Sequence, residues 1–303
     1  MTMFSIIKTG LNAINKDFAV LQNNIANTST NGFKRSEAQF ESMYFSQHNN
    51  STEVATGMGV RSLKPRQSFS QGSFQQTGGS LDLAIMGEGF FTLGNPVARA
   101  GATPEEFKYT RDGSFQMDRL GNLVNTDGLK VLGEGQVGIN IPVSVKVEAG
   151  KVVDASGQPI LGSNGTALFI PNSTTGEIDT TVNTGSIPMI ISQINVTDSG
   201  NIDVTYDENI TLTVAKIALG DFTNEHGLKN LGNATFSETP ESGAPTFGLP
   251  KEGTIGKILA GALEKSNTDI TDELVTMLRT QQAFNGCSKM LQSDLDTVKR
   301  LIS

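Results

Sequence analysis

An apolar seam runs through each end of this chain and stops where the middle begins. At the start, Phe4, Ile7, Leu11, Ile14, Phe18, Leu21 and Ile25 recur at intervals of three or four, with mostly polar residues between them. Side chains at that spacing share one helix face, so the segment predicts an amphipathic helix about 33 Å long at ~1.5 Å per residue. At the far end the same pattern runs Leu274, Met277, Gln281, Phe284, Ser288, Leu291, Leu295, Val298 and Ile302, with Gln281 and Ser288 as its polar members. Ser266, followed three residues on by Asp269, reads as a capping-box-like start. Asp272 and Glu273 suit the positive end of a helix, and Lys299 and Arg300 its negative end. Two such seams at the extreme termini predict an antiparallel, coiled-coil-like helix pair set apart from the rest of the chain. Pairing closes one seam but leaves Ile6, Val20, Val275, Leu278, Met290 and Leu301 needing cover. These flanks are therefore expected to meet other subunits, and the ends to be loosely ordered in an isolated chain, because helix stability comes mainly from packing.

Between the helices the pattern changes to short alternating runs broken by turn residues. Leu81–Gly94 reads as two strands around Gly87-Glu88-Gly89. In Phe107–Gly133, turns at Asp112-Gly113, Leu120-Gly121-Asn122 and Asp127-Gly128 separate runs of meander type. Asn201–Leu219 reads as two strands around Asp207-Glu208-Asn209. Composition agrees: 33 glycines, no tryptophan and 37% hydrophobic residues imply a thin core spread through sheets with frequent turns. The expected fold class is α+β, with terminal helices paired as a coiled-coil-like domain and a mainly antiparallel β-rich centre. The expected organisation is a helical core of 1–30 plus 258–303, an extended connecting segment 31–80 and a β-rich outer domain of 81–142 plus 196–240. A small β insertion at 143–195, with strands at Val143–Val147 and Ala167–Ile170, and a linker at 241–257 complete it.

The chain offers little to an enzyme. His48 and His226 lie in separate polar loops, and one cysteine, Cys287, allows no internal disulfide. A histidine-based triad or a multi-histidine metal site cannot be assembled from these. Gly87-Glu88-Gly89 lacks the third glycine and the following helix of a dinucleotide loop. The Asp-Gly turns lack the alternating carboxylates of a calcium loop. No catalytic residue, cofactor or metal is expected. A net charge of −8 with scattered Lys and Arg argues against nucleic acid, and no run approaches the ~18 apolar residues of a membrane span. The N-terminus has no pattern of a cleaved secretory signal.

The polar stretch Leu21–Glu41, LQNNIANTSTNGFKRSEAQFE, resembles the N-terminal signature of the bacterial flagellar rod and hook proteins, carried here by Asn24, Ala26, Asn27, Gly32 and Phe33. Three further stretches follow in the family's order. LDLAIMGEGFF with YTRDGSFQMDRLGNLVNTDGLKVLG resembles the central β domain, IALGDFTNEHGLKNLGNATFSETPESGAP its return, and the segment from Gly261 to Leu301 the C-terminal helix. Together these cover most of the chain, and Val143–Asn195 is not covered. The resemblance implies a structural subunit, with no enzyme activity, that polymerises into a helical tube. Its terminal helices would line the inside and its β domain would lie outside. It would be exported by the flagellar type III apparatus, without a cleaved signal, to the hook or basal body. Its partners would be itself and neighbouring rod, hook-cap and hook–filament junction proteins. Glu252–Asn267 leans to the hook, the universal joint that passes motor torque to the filament. The distal rod, a straight drive shaft, is the alternative. A rival class is a β-rich adhesin that binds through its surface loops.

Overall fold

The computed structural model describes residues 3–45, 56–94, 107–148, 151–153, 159–160, 168, 189–207 and 210–302. Both terminal helices are present: α1, Met3–Ala26, and α2, Ile270–Ile302. The chain divides into two compact units. One comprises Met1–Thr30, Lys34–Ser70 and Ser266–Ser303, and the other Asn31–Phe33 and Gln71–Lys265.

In the helical unit, α1 ends where the Asn/Thr run begins. The Asn27 amide donates to Asn23 and Asn24 carbonyls at 3.2 and 3.1 Å, and the Asn27 side chain donates to the Asn23 carbonyl at 2.9 Å. Side chains of this kind compete for backbone groups and close the last turn. Asp269 caps α2, its carboxylate accepting the Thr271 amide at 2.7 Å. Ser266, read as part of that cap, instead accepts the Thr268 amide at 3.2 Å, one turn before the helix. The helices run antiparallel, since Asp17 meets Thr280 and Asn24 meets Glu273. Phe18 and Phe284 pack edge to face between them, 6.4 Å between ring centres. A hairpin of Phe40–Phe45 and Thr56–Ser62 lies against α1. Its Gly59 has φ +102°, and a side chain there would collide with the Thr9 hydroxyl.

The second unit is built of antiparallel strands. Phe90–Gly94 is central to a nine-stranded sheet, pairing with Lys108–Thr110, Lys130–Val131 and Leu219–Asp221. Five further strands, in the order 151–153, 144–148, 189–196, 201–206 and 210–216, form a second sheet. Leu83, Ile85, Phe91, Leu93, Ile139, Ile202 and Ile217 are wholly buried in one shared core. The turns at Gly121 and Gly128 take φ +83° and +77° and separate the strands of the meander.

Several boundaries differ from the sequence expectation. Lys257–Ala260 pairs with Leu83–Met86, and Ala262–Glu264 pairs with Phe74–Gln76, so residues assigned to the helical core from 258 onward first form strands, and α2 begins at Ile270, beside the cap read at Asp269. The stretch 241–257 contains a strand, Thr246–Gly248, paired with Leu219–Asp221. Short strands hidden in Gly/Pro-rich sequence carry too few alternating residues to announce themselves. The strands at 144–148 and 189–196 join 201–206 and 210–216 in one sheet. Of the strand expected at Ala167–Ile170 only Leu168 is described, and the loops at 172–177 and 182–186 lie outside the described residues.

Candidate assembly site

The α1 seam faces inward to differing degrees. Leu21 is buried, Ile7, Leu11, Ile14, Phe18 and Ile25 are half-buried, and Phe4 is exposed. On α2, Met277, Phe284 and Leu291 are half-buried, while Leu274 and Leu295 are exposed. The side chains of Val298 and Ile302 lie outside the described set. The line of α2 that meets α1 includes Glu273, Thr280 and Phe284, and the half-buried Met277, Cys287 and Leu291 continue it at the same spacing. This line lies about one residue from the expected seam near Leu274 and Gln281. Two of its members are polar, so apolar periodicity passes over them.

Those polar members form a network that holds the exit of α1. The Asn24 side chain, 1% exposed, donates to the Ser36 carbonyl at 2.8 Å and accepts the Ser36 amide at 2.9 Å. Its amide also lies 3.2 Å from Glu273 Oε1. Arg35 sits 3.7 Å from the same carboxylate, and its backbone amide donates to Asn267 at 2.8 Å. Asn267 in turn donates to the carbonyls of Ser68 and Ser70 at 2.8 and 3.0 Å. The buried Lys34 ammonium also donates to the Ser70 carbonyl, at 2.9 Å. One side chain of α1 therefore acts as a template for the strand that leaves it. Replacing Asn24 by alanine leaves both Ser36 backbone groups without their partner. The expected loss is roughly 2–3 kcal/mol, read as a lowered urea midpoint of the helical signal.

Burial pushes the Glu273 carboxyl up from its ordinary value, and the neighbouring Arg35 and the Asn24 hydrogen bond only partly offset this. A carboxyl raised in the folded state holds its proton more tightly there than in the unfolded chain. Its contribution to stability is then full below the ordinary glutamate pKa and is lost as pH rises through the raised value. Glu273→Gln is expected to flatten that part of the stability–pH curve, measured by denaturant titration across the glutamate range.

In the second unit the junction residues Gly32 and Phe33 are buried. Gly32 has φ +65° and donates its amide to the Glu264 carbonyl at 2.8 Å. The Glu264 carboxylate accepts the Gly72 amide at 2.8 Å and lies 3.7 Å from the buried Arg111 guanidinium. Arg111 donates to the Gly87 carbonyl at 2.9 Å and stacks over Phe90 at 5.0 Å. Of the remaining signature positions, Ala26 is exposed and Asn27 half-buried. His226 is exposed in a turn at Glu225–Gly227, and His48 lies outside the described residues. Among the described residues no group of three or more His, Cys, Asp or Glu could hold a metal ion, and no helix is long and apolar enough to cross a membrane. Asn267, Glu264 and Arg111 are the junction residues that sequence reasoning missed. No local pattern marks them, because their partners lie far away in sequence.

A paired-helix unit and a unit of antiparallel strands, each with its own buried polar ties, have the character of a structural subunit. Residues 84–148 match the family model "Flagellar hook protein FlgE/F/G D1 domain", and residues 259–303 match "Flagellar basal body rod FlgEFG protein C-terminal". The flagellar basal-body rod protein FlgG of Buchnera aphidicola from Schizaphis graminum is 31% identical over 308 residues, covering 98% of this chain and 96% of that one. FlgG of Agrobacterium fabrum is 28% identical, covering 96% and 94%. The flagellar hook protein FlgE of Brucella abortus is 24% identical over 404 positions, covering 100% and 99%. The chain belongs to the flagellar rod and hook protein family, and it is an axial structural protein of the flagellum, not an enzyme.

Proposed function

We propose that this chain is the subunit of the distal rod, the straight shaft that carries torque out of the motor, and that it works by polymerising into a helical tube. One observation carries the choice of rod over hook. The rod relative aligns over 308 residues with nearly all of both chains, whereas the hook relative needs 404 positions to accommodate 303 residues. This favours the rod over the hook toward which the C-terminal resemblance leans. Imaging the particle assembled from the purified chain tests it. A straight tube is expected, and a curved one returns the reading to the hook.

In this reading the terminal helices form the inner, coiled-coil-like layer and the β unit the outer one. The seam residues and their exposed neighbours bury against adjacent subunits. Exposed Phe4, Leu274, Val275, Leu278 and Met290 support this, because a fully buried large apolar side chain contributes roughly 1.5–3 kcal/mol before ordering costs. The contacts are heterologous, so growth stays open. Neighbouring flagellar axial proteins of the rod and hook meet its ends, and export runs through the type III apparatus. The ends of the terminal helices, beyond the ties of Asn24 to Glu273 and Asp17 to Thr280, become firmly ordered only on assembly, which keeps the monomer threadable. Hydrogen exchange on the monomer checks this point, and strong protection across Phe4–Ile25 would refute it.

A further inference from the structure

Three hollows lie end to end along one flank of α1 within the helical unit. The first, of about 550 Å³, is walled by Thr9, Ala13, Lys16 and Met43. The second, of about 450 Å³, shares Lys16 and Ser62 with the first and runs past Val20 to Ala38. The third, of about 210 Å³, shares Val20 and Ala38 with the second and reaches Asn24 and Asp272. From Thr9 to Asn24, at ~1.5 Å per residue, the trough is about 22 Å long, the length of roughly four helical turns. A groove of this shape and length takes the face of a helix.

Its charge is graded. Arg61, paired with Glu41, lines the first hollow, Lys16 and Lys64 stand at the middle, and Asp17, Glu37, Asp272 and Glu273 surround Arg35 at the far end. A complementary helix needs an apolar contact, acidic groups level with the lysines, and basic groups further along. The last part of α2 has that order. Met290 is 59% and Leu295 43% exposed, Asp294 and Asp296 follow Met290, and Lys299 and Arg300 come next. The start of α2 is also apolar and exposed, but Asp272, Glu273 and Thr276 form a wall of the trough, so that end belongs to the receiving surface. The helix register supplies a second reason. Asn24 opposite Glu273 and Asp17 opposite Thr280 place Met3 level with Asp294 or the turn after it. Beyond that point α2 runs past the described start of α1.

We propose that the trough receives the C-terminal part of α2, Met290 to Arg300, from a second copy of the chain, lying parallel to α1. Asp294 and Asp296 then meet Lys16 and Lys64, and Lys299 reaches the carboxylates around Arg35. Donor and receiver are different surfaces of the same chain, so each added copy presents a fresh trough and the contact propagates without closing. The inference rests on the polymer reading above and specifies one of its contacts.

A Cys287→Ser full-length background carrying Ala19→Cys and Leu295→Cys tests it. Within one copy, Ala19 lies level with residues near Thr280, and Leu295 is at least ~18 Å further along the helix, beyond the ~7 Å between α-carbons that a disulfide spans. Oxidation of the sedimented polymer is expected to give a ladder of covalent oligomers. A polymer that sediments like the parent but yields only monomer on denaturing gels overturns the contact and leaves the polymer reading standing. A parent that never sediments overturns both. If the cysteine pair itself blocks assembly, charge reversal decides. Lys16→Glu with Lys64→Glu is expected to raise the critical concentration roughly tenfold at low salt, and adding Asp294→Lys with Asp296→Lys to restore it. Wild-type assembly of the lysine variant, or no restoration by the second pair, refutes the proposal.

Discussion

Replacing Gly32 by alanine is expected to cost roughly 3–5 kcal/mol of stability in the β unit, more than ordinary surface changes by a wide margin. Two effects add. The backbone at Gly32 has φ +65°, a conformation that costs a side-chain-bearing residue about 1–2 kcal/mol. A β-carbon there would also overlap the backbone of Arg111 and Asp112, the Asp112 nitrogen first. That backbone cannot yield cheaply, because the buried Arg111 side chain is tied to the Gly87 carbonyl and to Glu264. The expected result is a lowered urea midpoint with an unchanged slope. Gly32→Asn separates the two effects, since asparagine tolerates positive φ but brings the same β-carbon. It should be damaged nearly as much as the alanine variant, and wild-type stability for it would refute the steric account. Gly128→Ala is the contrasting case. Its φ is +77°, but nothing lies within 4 Å of the added carbon, so only about 1 kcal/mol should be lost.

The helices and the meander are legible in the sequence because both are local. Phe4 to Ile25 repeats one face seven times, and Gly121 and Asp127-Gly128 mark turns by backbone chemistry alone, whereas Asp112-Gly113, read the same way, links Lys108–Thr110 to Gln116–Met117, strands that pair with other partners and not with each other. The pair of strands around Asp207 is legible for the same reason, as Asn201–Tyr206 and Ile210–Lys216 alternate and pair directly. What escapes is held by distant partners. Lys257–Ala260 is a strand because Leu83–Met86 accepts it, and nothing within four residues tells it apart from the approach to a helix. Glu273 and Thr280 face α1 because Asn24 and Asp17 are there to bond them, a pairing across some 250 residues that hydropathy cannot register. The family signature illustrates both sides. Resemblance singles out Asn24 and Gly32, but the reasons lie in the folded chain: a buried amide that templates Ser36, and a backbone packed too closely for a side chain.

Removing residues 1–30 is expected to abolish polymer formation while leaving the β unit folded. The deletion takes away the Phe18 ring that meets Phe284, the Asp17 carboxylate that accepts from Thr280, and the Asn24 amide beside Glu273. Helical stability in proteins comes mainly from packing an amphipathic face, which α2 would lose, and its exposed Leu274, Val275 and Leu278 would gain further apolar neighbours in the exposed state. Helical signal should therefore fall by more than the 24 residues of α1 account for, as circular dichroism would show. The buried cluster of the β unit, by contrast, draws its members from Leu83 to Ile258 and needs no residue of α1. Its near-ultraviolet signal and melting should persist. Sedimentation and electron microscopy read the assembly. Polymers from the truncated chain would remove the basis for an inner helical layer and revive the adhesin class, in which the β unit alone carries the activity. Loss of polymer together with a collapsed β unit would point to a second dependence, of the chain that follows α1 on the Asn24 side chain that holds the Ser36 backbone. Restoring residues 21–30 alone separates these outcomes. It returns Asn24 and the junction without most of the seam, so the β unit should recover and the polymer should not.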